Sequence, residues 1–392
     1  MLLVFSDDWG RHPSSCQHLV RHLLPRHRVV WVNTIGMRPP KLNWATIRRA
    51  REKLGQWKAS KPQAGSESSN PIVLSPRMWP WFRRKHDRWL NMQLLQRALR
   101  PIVESAREPV HAITTVPIVA DLMRTLKVDS WTYYCVDDFS AWPGLDQATM
   151  ELMEREVIAR CDGAVAVSDA LVRRIADRGR ASTLLPHGVD IEFWRRPESN
   201  GVDESLNDLE RPLVVFWGVI DARMNTSWIR QLAGDMERGA ILLVGPVDAP
   251  DPSLLNSPRV VHHPSLPIAE LPRLGELADV LVMPYSDLPV TRAMQPLKLK
   301  EYMATGKPVV ASHLPATTEW DDCIDVASTA AEFSAMVRSR LSSGVSSKQL
   351  VARQRLRAES WETKSQLFES LVLGCDLNFR QPTAHKSTTV AK

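Results

Sequence analysis

Long apolar runs are missing from this chain. Nowhere do about 18 consecutive residues stay free of charge, and the opening offers four apolar residues, Leu2 to Phe5, before Ser6, Asp7 and Asp8. Neither a membrane-spanning helix nor a signal peptide fits that pattern, so the expectation is a protein made and kept in the cytoplasm. Cysteine is scarce as well. Cys16, Cys135, Cys161, Cys323 and Cys375 are scattered, odd in number and never spaced C-x-x-C, which argues against a disulfide framework and a zinc site. G-x-G is absent, as is G-K followed by Ser or Thr, so a nicotinamide oxidoreductase and a P-loop enzyme are both disfavoured. No lysine context suits pyridoxal phosphate, and no cofactor or metal is expected.

What is present is ordinary globular composition with an uneven charge. Of 392 residues, 44% are hydrophobic and 24% charged, and the length suits two or three domains. Between Arg38 and Lys61 eight Lys and Arg face the single Glu52; between Arg77 and Arg100 seven face the single Asp87. Those two segments exceed the whole net charge of +6, so the remainder is acidic. They also hold Trp44, Trp57, Trp79, Trp81 and Trp89. Basic and indole side chains together suit the headgroup region of an anionic membrane; a solvated basic helix over packed Trp is the plainer alternative. RNA could use the same residues, but nucleic acid is not the expected partner.

Hydrophobic patterning gives repeated strand and helix units. Residues 2–5, 29–32, 72–74, 110–115 and 131–136 read as strands, with helical spacing at 14–24, 89–99, 118–126 and 147–159. Such alternation implies an α/β protein with a parallel sheet. The helix at 147–159 is rich in Glu (Glu151, Glu154, Glu156), which reads as surface charge. Residues 195–212 are polar, with Pro, Gly and Asn, and read as a linker. The pattern then restarts, with strands at 213–217, 241–244, 260–262, 280–283, 309–311 and 324–326. The resulting division is a first domain at 1–194 with a basic insertion near 38–70, a linker at 195–212, a second domain at 213–350, a helix at 351–375 and a disordered tail at 376–392. Two α/β halves imply a cleft, a favoured place for a ligand.

Within the second half, Pro296 reads as the first residue of a short helix that ends at Gly306 and feeds the Val309-Val310 strand. Gln295 is then a weak cap, leaving N–H groups for an anion such as a diphosphate. Lys298 and Glu301, three apart, share a helix face: a cation near the anion and a carboxylate able to accept two ribose hydroxyl protons. In the first half, the loop after the opening strand, with Asp8 and Trp9, lies where open α/β sheets bind ligands, and is the candidate acceptor loop.

The block EYMATGKPVVAS, Glu301 to Ser312, resembles the glutamate-containing block of retaining GT-B glycosyltransferases of the large family 4 type, in particular the exopolysaccharide and teichuronic-acid enzymes. WTYYCVDDFSAWPG (131–144), LLPHGVD (184–190) and WGVIDARMN (217–225) resemble further blocks of the same family. The resemblance implies a GT-B fold of two Rossmann-like domains, an acceptor domain followed by a nucleotide-sugar domain, with the last helix crossing back. It implies metal-independent transfer of a hexosyl group from a nucleotide diphosphate sugar to a lipid-linked or polysaccharide acceptor, at the inner membrane face. Glu301 matches the ribose-holding glutamate of E-x7-E, whereas Ala293 stands where the first glutamate would be. Gly218 and Arg223 fall in the turn that meets the donor diphosphate, alongside Gln295 and Lys298. Asp137, with Asp replacing the family's histidine, is implied as the acceptor-side catalytic group, with Asp138 and His187 nearby. A degenerate GT-B scaffold of a polysaccharide assembly complex and a nucleotide-sugar epimerase are the alternative readings.

Overall fold

The computed structural model describes residues 1–11, 14–37, 70–196 and 204–374. The basic insertion up to residue 69, the centre of the linker and the tail lie outside the described residues. Strand β1 (Leu2–Ser6) is buried throughout, because helices cover both faces of its sheet. It pairs in parallel with β2 (Val29–Asn33), Leu2 opposite Val29, and with β4 (His111–Thr114), Leu2 opposite His111. β3 (Ile72–Leu74), β5 (Ser130–Cys135), β6 (Gly163–Ala166) and the two-residue β7 (Thr183–Leu184) complete a parallel sheet of order β3-β2-β1-β4-β5-β6-β7.

The second domain repeats the architecture. Its parallel sheet runs β12-β10-β8-β13-β14-β15, built from β8 (Leu213–Trp217), β10 (Ala240–Val244), β12 (Val260–His263), β13 (Val280–Met283), β14 (Val309–Ser312) and β15 (Asp325–Ala327). A small parallel pair, β9 (Ile220–Asp221) with β11 (Val247–Asp248), extends from the ends of β8 and β10. The fold is therefore a GT-B arrangement of two parallel-sheet α/β domains. Each domain has its own apolar core, and the first takes in Trp361, Phe368 and Val372 from the last helix, Trp361–Leu373. In that contact Phe368 meets Tyr134 at 5.1 Å between ring centroids, and Trp361 stacks on His18 at 4.7 Å.

Three local expectations need correction. Residues 118–126 are not one helix but two 3-10 turns, Pro117–Val119 and Leu122–Arg124; bonds such as Thr125 N to Leu122 O keep a three-residue pitch that buries Ile118, Val119 and Leu122. The final helical stretch breaks at Ser360, which caps Trp361–Leu373 by accepting from Thr363 N at 3.1 Å. Glu154 is not surface charge. On the helix Gln147–Arg160 it is 1% exposed, accepting from Tyr133 Oη at 2.9 Å and from Arg174 at 2.8 Å, with Arg178 at 3.3 Å.

Glu154 thus neutralises two arginines under the sheet. Glu154→Ala should destabilise the chain by about 3 kcal/mol, the low end for deleting one partner of a buried pair because Arg174 keeps Asp138. Urea denaturation of both chains at one pH gives the difference, and a cost under about 0.5 kcal/mol, typical of surface substitutions, would return Glu154 to the surface.

Candidate active site in the interdomain cleft

The helix Leu297–Ala304 organises the cleft. Pro296 is its cap residue rather than its first helical residue, and no side chain caps it, because Pro has neither an N–H nor a polar side chain to offer. Gln295 therefore does not cap the helix. Its Oε1 accepts from the backbone N of His187 at 2.5 Å, which ties the two domains together.

Lys298 extends from the first turn of this helix, where it is half-buried. Its Nζ donates to Tyr285 Oη at 2.6 Å and lies 4.3 Å from the Phe216 ring centroid. Space for the ammonium comes from Gly218, at φ +134°: a Cβ there would stand 2.2 Å from Lys298 Nζ. Gly245 packs against the same turn, where a Cβ would meet Gly218 O at 2.0 Å. Glu301 is half-buried one turn deeper, and burial pushes its carboxyl up to about 7 against the pull of the Trp217 indole and the Lys298 ammonium. A carboxyl so poised gains from any hydrogen-bond donor that enters.

Arg223 follows β9 and is 7% exposed. Asp221 holds it by Nε at 3.0 Å and Nη2 at 2.8 Å, so only part of its guanidinium fork remains for a phosphate. Lys298 Nζ and Arg223 Cζ lie 5.2 Å and 5.9 Å from the Tyr285 ring centroid, so the two cations gather about one aromatic ring.

On the first-domain side, Asp137 and Asp138 follow β5 and diverge. Asp137 lines a cavity of about 420 Å³ together with Asp7, Asp8, Arg11, Thr34, Val116 and other residues at the carboxyl ends of the strands. Burial pushes its carboxyl up to about 7, opposed by Arg223 across the cleft and by Trp142, and assisted by Asp138. Asp138 turns away: its Oδ1 accepts from Ser140 Oγ at 2.6 Å and its Oδ2 pairs with Arg174 at 3.0 Å. The acceptor-side expectation for Asp138 is corrected on that ground.

His187 is corrected as well. It is 6% exposed beside Trp361, and burial together with Lys300 lowers its imidazole to about 3, so it is a neutral part of the hinge. Asp8 lines the cavity, paired with Arg11 at 3.2 Å. Trp9 is not among the lining residues; its ring packs edge-on against Trp31 at 4.8 Å and its N donates to Asn33. Ala293, in place of the first glutamate, carries no charge, and its carbonyl accepts from Ser168 Oγ at 2.6 Å.

Sequence reasoning missed Asp7, Trp142, Asp221, Tyr285 and Lys300. Asp7 accepts from Ser6, Ser14 and Gln17 at the cavity wall, and burial raises its carboxyl. Lys300 lies about 200° around the helix from Lys298, so it points into the hinge, donating to His187 O at 2.6 Å and Glu359 Oε2 at 2.5 Å. Among the described residues no group of three His, Cys, Asp or Glu could hold a metal.

Residues 211–342 match the family described as "Glycosyl transferases group 1". A protein of Bacillus subtilis (strain 168), provisionally named teichuronic acid biosynthesis glycosyltransferase TuaH, is 30% identical over 175 residues. That match covers 42% of this chain and spans 44% of the relative's length. Among solved structures, sucrose-phosphate synthase from Thermosynechococcus elongatus is similar with a TM-score of 0.67 at 15% identity, covering 95% of this chain and 99% of that one. Anabaena HepE in complex with UDP-glucose has a TM-score of 0.66 at 13% identity, again over 95% and 99%. A trehalose-phosphate synthase from Burkholderia vietnamiensis gives 0.67 at 14%, over 96% and 98%. At such identities these structures speak for the fold.

The raised Glu301 carboxyl gives a signed prediction. A group whose folded pKa lies above its unfolded value gives its stability in full below the unfolded pKa, and loses it as pH rises through the folded pKa near 7. Glu301→Gln, which cannot ionise, should therefore gain stability relative to the parent as pH is raised from about 4 to 8. Urea midpoints of the two chains across that range check it; parallel curves would mean that Glu301 titrates as in water.

Proposed function

From a GT-B chain whose second domain carries a group 1 glycosyltransferase segment, we propose a retaining glycosyltransferase that moves a hexosyl group from a nucleotide diphosphate sugar to a saccharide or lipid-linked acceptor in cell-surface polysaccharide synthesis. The observation that carries this is the grouping on one uncapped helix of Lys298 and Glu301, with Arg223 opposite, inside the matched segment. A diphosphate leaving group gains negative charge as the glycosidic bond breaks. Lys298 and the free helix N–H groups are aimed at that charge, Arg223 adds the rest of its fork, and Glu301 accepts from the ribose hydroxyls. These cations make the proposed reaction independent of a metal. HepE, a neighbour in fold, was captured with UDP-glucose, which makes UDP the first nucleotide to try.

Asp137 is proposed as the acceptor-side catalytic group, since it lines the first-domain cavity and also feels Arg223. A carboxyl titrating near 7 can take part in proton transfer from an acceptor hydroxyl at neutral pH. The second reading, a nucleotide-binding scaffold without turnover, is favoured by one observation, the uncharged Ala293 in place of the first glutamate.

The same proposal seats the first domain on an anionic membrane at its cytoplasmic face. Trp79, Trp81 and Trp89 are 40%, 39% and 59% exposed, more than an indole normally concedes to water, and the first two lie ring to ring at 4.7 Å. Exposed Arg83, Arg84 and Lys85 lie between them in sequence, at the start of the helix Lys85–Glu104. The other basic and Trp-containing stretch, 38–61, lies outside the described residues.

Three measurements follow. Calorimetric titration with UDP, GDP and ADP without metal should find one that binds and that Glu301→Ala weakens tenfold or more, about 1.4 kcal/mol; Lys298→Ala should lower turnover roughly a hundredfold. No binding by any nucleotide would end the donor assignment, and binding without turnover on supplied donor and acceptor would favour the scaffold. For the membrane face, sedimentation with phosphatidylglycerol vesicles should exceed that with phosphatidylcholine by roughly a hundredfold in affinity, three cations at about 1 kcal/mol each. Replacing Trp79, Trp81 and Trp89 by Ala should abolish it, and equal binding to both vesicles would count against the patch.

A further inference from the structure

Trp142 belongs to the first domain, on the loop after β5, where Pro143 and Gly144 (φ +83°) turn the chain back. Its ring packs in part against the first domain's core and also reaches the second domain. It lies under the guanidinium of Arg223, a second-domain residue, with Arg223 Cζ 4.6 Å from the ring centroid. The side chain of Arg223 is 8% exposed and its Nε edge is taken by Asp221, so the cation is desolvated and fixed in plane before Trp142 meets its face. A cation held that way attracts an indole more strongly than one in water does.

The other end of the indole has a distinct neighbour. Trp142 Nε1 is buried and makes no hydrogen bond of normal geometry, while the adjacent Asp137 feels both Trp142 and Arg223. One side chain therefore adjoins the acceptor-side carboxyl and the donor-side guanidinium together. Separating the domains breaks the contact with Arg223 but leaves Asp137 and Trp142 together, because both lie on the same loop. The contact is thus available only to the closed cleft.

We propose that Trp142 is a positioning residue that latches the cleft shut through Arg223 and so sets Asp137 against the donor-side cations. This rests on the glycosyltransferase reading for its catalytic consequence, but not for the closure itself. Lys300, Gln295 and Ser168 join the domains at the hinge, whereas Trp142 acts at the mouth, where the reacting groups are. The indole offers two separable properties: a π face, which Phe shares, and an N–H, which Phe lacks. Leu fills the volume with neither.

The test compares the parent chain with Trp142→Phe, Trp142→Leu, Arg223→Met and the Trp142→Leu/Arg223→Met pair. Small-angle scattering without ligand should show a larger radius of gyration for Trp142→Leu and for Arg223→Met, no further increase in the pair, and parent-like compactness for Trp142→Phe. UDP release from UDP-glucose should fall roughly tenfold or more in Trp142→Leu, as expected for losing a desolvated cation–π contact, and recover in large part in Trp142→Phe. Parent-like scattering for Trp142→Leu, or expansion in the pair equal to the sum of the two singles, overturns the latch. Should Trp142→Leu fail to fold, Arg223→Met against the parent still decides closure. If the parent releases no UDP, the nucleotide reading is in difficulty, while the scattering result stands by itself.

Discussion

One buried ammonium sets the relation between the two domains. Lys300 is 3% exposed, donates to the backbone oxygen of His187 at the end of the first domain, and pairs with Glu359 just before the last helix. Lys364 closes on the same Glu359 carboxylate at 2.9 Å. Burying such charges is tolerable only when every partner is in place, so the network has little freedom to slide. Lys300 sits two residues from Lys298 on one short helix. The hinge and the Lys298 ammonium therefore move as a unit, and the geometry of the cleft is inherited from the hinge.

The cleft itself is assembled from opposites. The second domain contributes cations, Lys298 and Arg223, spaced around Tyr285 and given room by Gly218. The first contributes carboxyls, Asp137, Asp7 and Asp8, around a cavity with apolar walls. Burial raises Asp137 and Glu301 toward neutrality, so neither is locked into one protonation state near pH 7. Such carboxyls cost stability and gain sensitivity to whatever enters, the usual exchange at a binding site.

The parts legible in the sequence were those that depend on local periodicity. Parallel α/β halves followed from the repeated alternation of strand and helix patterns, and the pairing of Lys298 with Glu301 followed from a spacing of three. The different roles of Asp137 and Asp138 were not legible in this way, since only contacts show that Asp138 is spent on Arg174 and Ser140. What could not be read depends on partners distant in the chain. Glu154 resembles its neighbours Glu151 and Glu156 until Arg174 and Arg178 arrive from another helix. His187 resembles a site residue until Trp361 covers it, and the contact of Trp142 with Arg223 has no trace before the second domain is folded. Two-residue strands such as β7 and β9 leave no pattern to detect.

The last helix has a consequence for how the protein is made. Trp361, Phe368 and Val372 are part of the first domain's core, yet the whole second domain lies between them and the strands they cover. A ribosome releases the first sheet long before it releases this helix, at roughly 5–20 residues per second. During that interval the faces of Tyr134 and His18 that Phe368 and Trp361 will occupy have no partner. The amino-terminal half must therefore wait, incompletely closed and exposed to chaperones or to other nascent chains, until the final helix arrives.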